Sequence, residues 1–376
     1  MNLADMLTYA DIGQLSNIAS YYDCECKRNS KHDLIQSILI KLGRRDYFEE
    51  LVGHLSEADL RFLNSVVFDT RSGYSLEELT ATIRQASAEK ADDEKGKSQK
   101  VESPREAVAR YRRSGWLFNG FTHSTKYTFQ VPSDLKQRFR DVLRGRLEER
   151  LQSSEEPEAY RDEQGLISAD MLLFLKYVEG QEVELNAEGF MYRRYQQQLM
   201  SSLHIQESLI SKGAWRFGYG RSCTEYPDRF ALLYDYAYAR QWIREAGTRL
   251  ILTDRGKEFL DEGKEESVLQ VFRFWLRLYK GAVPNLSSLV YWISKCAKDW
   301  VTTESLYESL GWLIRPFYYD TPQAILDQRI LRMLMHLGML RIGEGEQSGT
   351  VIRMTVLGHK AAEACLHIGD NEDFLH

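Results

Sequence analysis

Few side chains in this 376-residue sequence stand at spacings that do chemistry, and the informative ones are cationic. Cys24-Glu25-Cys26 with His32 offers thiolate and imidazole, but a structural zinc takes four ligands, usually from two separated pairs, and the five cysteines supply no second pair. A phosphate-binding loop needs Gly, four residues, then Gly-Lys-Ser/Thr. Gly96-Lys97-Ser98 has Ala91 where the first glycine belongs and no strand before it, and Gly256-Lys257 runs into Glu258. No His-Glu-x-x-His or Gly-x-Ser-x-Gly pattern appears. His336 and His359 fall on predicted helices without a Cys or carboxylate at ligand spacing, and His336 reads as a surface or groove-facing residue. The expectation is a protein without catalysis, cofactor or metal, although scattered carboxylates leave no linear trace. Phosphate-seeking charge is what remains. From Arg105 to Arg150 eleven basic residues (Arg105, Arg110, Arg112, Arg113, Lys126, Lys136, Arg138, Arg140, Arg144, Arg146, Arg150) face five acidic ones. That is the electrostatic footprint of a polyanion partner, set in a chain whose net charge is −6 and whose acid therefore sits elsewhere.

The elements that position this charge repeat. Ile330, Leu334 and Leu337 recur at helical spacing with Arg329, Arg332 and His336 elsewhere on the wheel, so one face is buried and another offered to a partner. Gly338 suits the left-handed residue that closes a helix. Met339 to Ile342 start a strand, Gly343, Gly345 and Gly349 make a loop, Thr350 to Thr355 return, and Lys360 to Leu366 read as a further helix. Asp228 to Leu260 is a second copy, with Ala246-Gly247, the strand Arg249 to Leu252, then Thr253 and Gly256. Pro104 to Val142 is the third, with Ser114-Gly115 and strands Trp116 to Phe121 and Lys126 to Val131. Each copy reads as a helix followed by a β-hairpin wing, so the fold class is mainly α with small β-hairpins (α+β), an array of about three winged-helix domains. The wing of the last copy carries Glu344 and Glu346, which repel phosphate.

Two polar stretches mark boundaries. Residues 87–103 hold only Val101 as a large apolar residue and read as a solvated linker, before which Leu60 to Val67 and Ser75 to Ile83 supply helices, the latter with a Ser75/Glu78 capping box. Gln152 to Gln164, with Ser-Ser-Glu-Glu-Pro-Glu, reads as the join between the first winged helix and the second. The expected domains are 1–45, 46–150, 165–263 and 264–376. No apolar run reaches the roughly 20 residues of a membrane helix, the start lacks a basic-then-apolar leader, and the cysteines show no disulfide framework, which together predict a cytoplasmic protein without membrane contact.

In residues 1–45, Ile12, Leu15, Ile18 and Ala19 form one helical face and Leu34, Ile35, Ile38 and Leu39 another, around a polar stretch from Cys26 to His32. Asn29-Ser30-Lys31-His32-Asp33-Leu34-Ile35 resembles the polar turn and Leu-Ile ending of SAP-type modules, which implies that Lys27, Arg28 and Lys31 face DNA backbone. The competing reading is a helical hairpin that packs on the first winged helix. Over most of residues 10–280 the chain is similar to the helicase-associated domain of the XPB helicase family. The carriers are Val183 to Phe190 followed by Arg193-Arg194, then Phe230 to Ala246, Leu250 to Leu252, Thr253, Arg255-Gly256, Phe259, and Val271-Phe272-Arg273-Phe274-Trp275-Leu276. The resemblance implies a region that accompanies a helicase motor and engages DNA or partner proteins, here without the motor.

Aromatic residues make up 12% of the chain and concentrate in Tyr226 to Trp242, Phe272 to Tyr279 and Trp312 to Tyr319. With Arg240, Arg273 and Arg315 among them they suit base stacking, but Phe230, Leu233, Ala237, Phe272, Trp275 and Leu276 lie on apolar helical faces, which favours core packing. Trp312, Arg315, Phe317 and Tyr318, near Pro316, suit a joint or a partner groove. Two functions stand: a DNA-binding array, with Lys27, Arg28, Lys31, Arg105, Arg110, Arg112, Arg113, Lys126, Arg193 and Arg194 on phosphate, beside a helicase or nuclease; or a protein adaptor whose winged helices dock a partner and leave nucleic acid alone.

Overall fold

The computed structural model describes residues 1–71, 73–87, 102–211, 217–346 and 348–366. Gly96-Lys97-Ser98 and most of the 87–103 stretch lie outside them. The chain is mainly helical with small antiparallel sheets, and it divides into two compact units, Met1–Glu149 and Arg150–Cys365.

In the first unit, short polar residues cap successive helices. Asn2 with Asp5 opens α1 (Leu3–Tyr9), Asp11 opens α2 (Ile12–Tyr21) and Ser30 opens α3 (Lys31–Gly43). α4 (Arg45–Gly53) follows, and Ser56 caps α5 (Glu57–Phe68). The Ser75/Glu78 capping box closes as expected, with Ser75 N donating to Glu78 Oε2 at 2.7 Å and Glu78 N to Ser75 Oγ at 3.1 Å, and it opens α6 (Leu76–Ser87). α7 (Pro104–Arg113) starts from a second such box, Ser103 with Glu106. β1 (Phe118–Asn119), β2 (Phe129–Gln130) and α8 (Ser133–Glu148) complete the unit. Both strands are shorter than the sequence pattern suggests, because Thr125 N and Lys126 N bond to Thr122 O and turn the chain locally. Tyr74 bridges Phe129, so the pairing order is Tyr74, β2, β1. The N-terminal helices join this core: Tyr22 Oη donates to Ser114 O at 2.6 Å, and Leu15, Ile18, Leu34 and Ile38 are fully buried.

The second unit opens with a departure from the expected linker. Gln152 O accepts from Thr302 N at 3.1 Å, Ser154 N donates to Trp300 O at 2.8 Å, and β3 (Tyr160–Arg161) pairs with a strand of the last hairpin. The polar composition misled because an edge segment is held by its backbone, with Tyr160 packed 5.3 Å from the Trp300 ring. Then come α9 (Leu166–Gly180), β4 (Val183–Glu184), α10 (Arg193–Ser202), α11 (Asp228–Ala239), β5 (Ile243–Ala246), β6 (Arg249–Leu252) and α12 (Asp254–Asp261), in a sheet ordered β4-β6-β5. α13 (Val268–Tyr279) leads to α14 (Leu286–Cys296), β7 (Val301–Thr302) and α15 (Thr303–Leu310). α16 is a helical run through Pro322–Ala324, a π-helical Ile325–Leu331 and Arg332–His336. β8 (Leu340–Gly345), β9 (Gly349–Met354) and α17 (Val356–Ala364) finish the unit, with strand order β3-β8-β9-β7.

Three times, therefore, the order is helix, short strand, helix, helix, hairpin, with the first strand paired to the last. Each third helix ends the same way. Gly115, Gln241 and Gly338 have φ of +68°, +58° and +67°, and the next residue donates back five positions: Trp116 to Tyr111 at 3.0 Å, Trp242 to Ala237 at 3.0 Å, Met339 to Leu334 at 2.8 Å. Ala246-Gly247 is thus not a helix end: Gly247 turns the β5–β6 hairpin, and Gln241 takes the role that glycine has in the other copies. The second and third copies share a further lock. Thr253 and Thr355 donate through Oγ1 to Gln241 O and Gly338 O, and they accept from Gly256 N and Gly358 N at 3.1 Å each. A Cβ on Gly256 or Gly358 would sit 2.3 Å from Trp242 O or 2.1 Å from Met339 O, so both positions require glycine.

Candidate nucleic-acid interface

α7 buries Ala107, Val108 and Tyr111, which leaves Arg105, Arg112 and Arg113 exposed. The β1–β2 hairpin adds exposed Lys126, whose Nζ lies 4.8 Å from the Tyr127 ring centroid. Among the described residues none of these four cations has an acidic partner. Arg112 lies over the Phe129 ring at 5.8 Å, which ties the helix end to the hairpin.

The rest of the basic surplus, exposed Arg150 excepted, is engaged within the fold. Arg110 Nη2 pairs with Asp59 at 2.7 Å and Glu102 at 3.0 Å, and Tyr111 Oη donates to Asp59 at 2.5 Å. Burial pushes the Asp59 carboxyl up, but hydrogen bonds from Tyr111, Ser56 and Arg110 outweigh it and hold the group below its ordinary 3.8. The α8 cations cap other helices. Arg138 donates to Leu42 O, and to Gly43 O at 3.3 Å, at the end of α3; Arg146 donates to Val52 O at 3.0 Å at the end of α4; Lys136 donates to Asp69 O at 3.1 Å just past α5. Positive charge belongs at these carbonyl-rich termini. Burial lowers both the Lys136 amine and the Arg138 guanidinium. Arg140 donates to Gln137, and Arg144 lies 3.8 Å from Glu148.

The remaining candidates fall in different places. Lys27 and Arg28 are exposed in the polar turn, and Lys31 Nζ donates to Thr8 O at 2.8 Å. Arg193 donates to Ile210 O at 2.6 Å, and Arg194 pairs with Glu184 and donates to Tyr195 Oη at 2.8 Å. These two arginines line a cleft of about 980 Å³ in the second unit, in company with Glu184 and Glu225. Cys26 Sγ lies 3.7 Å from Cys24 O, and His32 is exposed; among the described residues no three His, Cys, Asp or Glu side chains gather to hold a metal ion. Among them also, no helix is long and apolar enough to cross a membrane.

In the second unit the helices equivalent to α7 are more deeply packed, although Arg332 of α16 is exposed as its place on the wheel suggested. Every residue of α11 from Arg229 to Ala237 is buried. In α16, Arg329 and His336, read from sequence as an outward face, are 6% and 4% exposed. Arg329 is clamped between Asp320 Oδ2 and Phe217 O, each at 2.8 Å. His336 Nδ1 lies 3.0 Å from Glu163 Oε2, which is also 3.3 Å from Arg229 Nε; Arg229 Nη1 pairs with Asp170 at 2.7 Å. The partners come from loops and helices distant in sequence, so periodicity on one helix could not reveal them. Phe230, Phe272 and Trp275 are core residues, as their apolar faces suggested, whereas Tyr318 and Tyr319 are 82% and 73% exposed. Sequence reading passed over exposed Tyr9, Phe121 and Tyr127 of the first unit; the signal was available in Lys126-Tyr127 beside a threonine-rich turn. No protein-family model, curated protein or solved structure matches the chain.

Proposed function

We propose that this is a non-catalytic DNA-binding protein made of three winged helices behind a SAP-like helical hairpin, which acts in DNA processing beside a helicase or nuclease. The thrice-repeated order, with the first strand paired to the last, supports the winged-helix reading. The likeness to the helicase-associated domain of the XPB family supports the setting. The observation that carries DNA binding is the end of α7: Arg112 and Arg113 are exposed and unpaired among the described residues, and the hairpin after them brings Lys126 with no acid between Phe118 and Gln130. α7 enters the major groove and the hairpin lies along the backbone. Fluorescence anisotropy with a labelled duplex at low salt tests this: the chain binds, and Arg112→Ala with Arg113→Ala weakens binding at least tenfold, on the order of the loss of two phosphate contacts. No binding to duplex or single strand at low salt refutes it.

The adaptor reading is favoured by the second unit. Its α11 has no face left for a groove, its last hairpin carries Glu344 and Glu346, and Tyr318 and Tyr319 stand in solvent. In that reading the second unit docks a protein while the first holds DNA. Co-purification of a defined helicase or nuclease that survives nuclease treatment and is lost on Tyr318→Ala with Tyr319→Ala supports it.

A further inference from the structure

We infer that the tip of the β1–β2 hairpin is a stacking platform for an unpaired base beside a duplex, so that the protein prefers a forked or frayed end to uninterrupted duplex. This rests on the DNA reading above and narrows its substrate. Tyr127 is 76% exposed, the most exposed aromatic side chain among the described residues of the first unit. Phe121, 37% exposed, meets the ring of Tyr9 from α1, 64% exposed, at 4.7 Å between centroids. Three aromatic rings at one hairpin and its neighbour are left in water, where burial of each is normally favourable.

The platform is held still. Thr122 Oγ1 and Thr125 Oγ1 lie 2.7 Å apart, Lys126 N donates to Thr122 O at 2.9 Å, Asn119 Nδ2 to Lys126 O at 3.0 Å and Thr128 Oγ1 to Thr125 O at 2.8 Å. Gly120 allows the loop to fold back, since a Cβ there would stand 2.4 Å from Thr125 O. Cations flank the rings: Lys126 lies over Tyr127, and Lys31 is fixed on Thr8 O, one residue from Tyr9. Lys31 thereby joins the start of α3 to α1, the helix that carries Tyr9.

Charge decides the occupant. From Phe118 to Gln130 the chain has no Asp or Glu and carries Lys126 and His123, so the hairpin tip itself suits a base with its phosphate better than a basic or neutral peptide. The other two hairpins are the reverse. β5–β6 contains Glu245 and β8–β9 contains Glu344, and neither has an aromatic residue. Aromatic rings and freedom from acid occur together at one hairpin of the three.

Anisotropy titrations of the full chain against a blunt duplex, the same duplex with unpaired arms, and the arm as a single strand test the inference. The fork should bind about tenfold tighter than the blunt duplex, within the roughly five- to hundredfold that one stacked base contributes. Tyr127→Ala with Phe121→Ala should bring the fork down to the blunt value, while Tyr127→Phe keeps the ring and the preference. Thermal melts that match the parent confirm that the variants fold, as expected for exposed positions. Equal binding of fork and blunt duplex by the parent, or a preference that persists in the double Ala variant, overturns the platform while leaving duplex binding intact. Absence of binding to all three refutes the DNA reading itself.

Discussion

Counting cations by sequence and counting them by geometry give different salt dependences for DNA binding. Each neutralised phosphate releases counterions and contributes about −0.9 to the slope of log K against log salt on duplex DNA. If all eleven basic residues from Arg105 to Arg150 faced phosphate, the slope would be about −10. On α7 and the β1–β2 hairpin the structure leaves Arg105, Arg112, Arg113 and Lys126 exposed and without acidic partners among the described residues, for a slope of about −3.6; adding exposed Lys27 and Arg28 gives about −5.4. Between 50 and 200 mM salt the affinity should then fall about 150- to 2,000-fold, against about a millionfold for the larger count.

The assay is a set of duplex titrations at four or five salt concentrations, for the parent and two kinds of variant. Arg112→Ala with Arg113→Ala should flatten the slope by about 1.8. Arg138→Ala or Arg146→Ala should leave the slope within error and instead cost about 1–2 kcal/mol of stability, because each removes a charged donor from helix-end carbonyls. A slope near −10, or one that responds to Arg146 as strongly as to Arg112, refutes the assignment of α8 to structure and α7 to phosphate.

Glu163→Gln or Arg229→Met should each destabilise the second unit by about 3–5 kcal/mol in urea unfolding, since either leaves a buried charge unmatched, and the double replacement should cost less than their sum. Gly358→Ala should cost about 3 kcal/mol through its clash with Met339 O, whereas Gly145→Ala in α8, with open space around it, should gain about 0.5–1 kcal/mol; thermal melts compare them. Burial pushes the Glu163 carboxyl up, but His336, Arg229 and Arg161 bring it below its ordinary 4.5. Its contribution is therefore complete above pH 4.5 and lost as pH falls through the lower folded value, so acid unfolding should soften in that window in the parent and respond less in Glu163→Gln.

What was legible in the sequence was local. Ser75 with Glu78, Gly338 before Met339, and Thr253 with Gly256 each fix geometry within a few residues, and each took its expected place. Gln241 hid the end of α11 because a non-glycine residue occupies the left-handed position. Long-range engagement was illegible for a different reason. Arg138 and Arg112 are the same residue type in the same basic stretch, and only the fold puts Leu42 O and Gly43 O beside one of them. Likewise Gln152 to Glu163 looks solvated by composition, although its backbone completes an edge and Glu163 is fully buried.

Repetition of a topology does not repeat its use, and the helices show why. A helix that reads a groove needs an outward face. α7, Pro-Arg-Glu-Ala-Val-Ala-Arg-Tyr-Arg-Arg, has apolar residues enough for one side only, so Arg105, Arg112 and Arg113 remain outside. α11, Asp-Arg-Phe-Ala-Leu-Leu-Tyr-Asp-Tyr-Ala-Tyr-Ala, is apolar nearly all round, and its polar exceptions Arg229 and Asp235 are matched inside the protein by Asp170 and Ser222. Burying α11, and tying it and α16 through Glu163 to Arg229 and His336, gives a body held together through helix surfaces that stay exposed on α7. A cation added to α11 could not restore a reading face, because every position from Arg229 to Ala237 already faces protein. On the DNA reading, α11 therefore offers phosphate no surface, whereas Arg112 and Arg113 of α7 do.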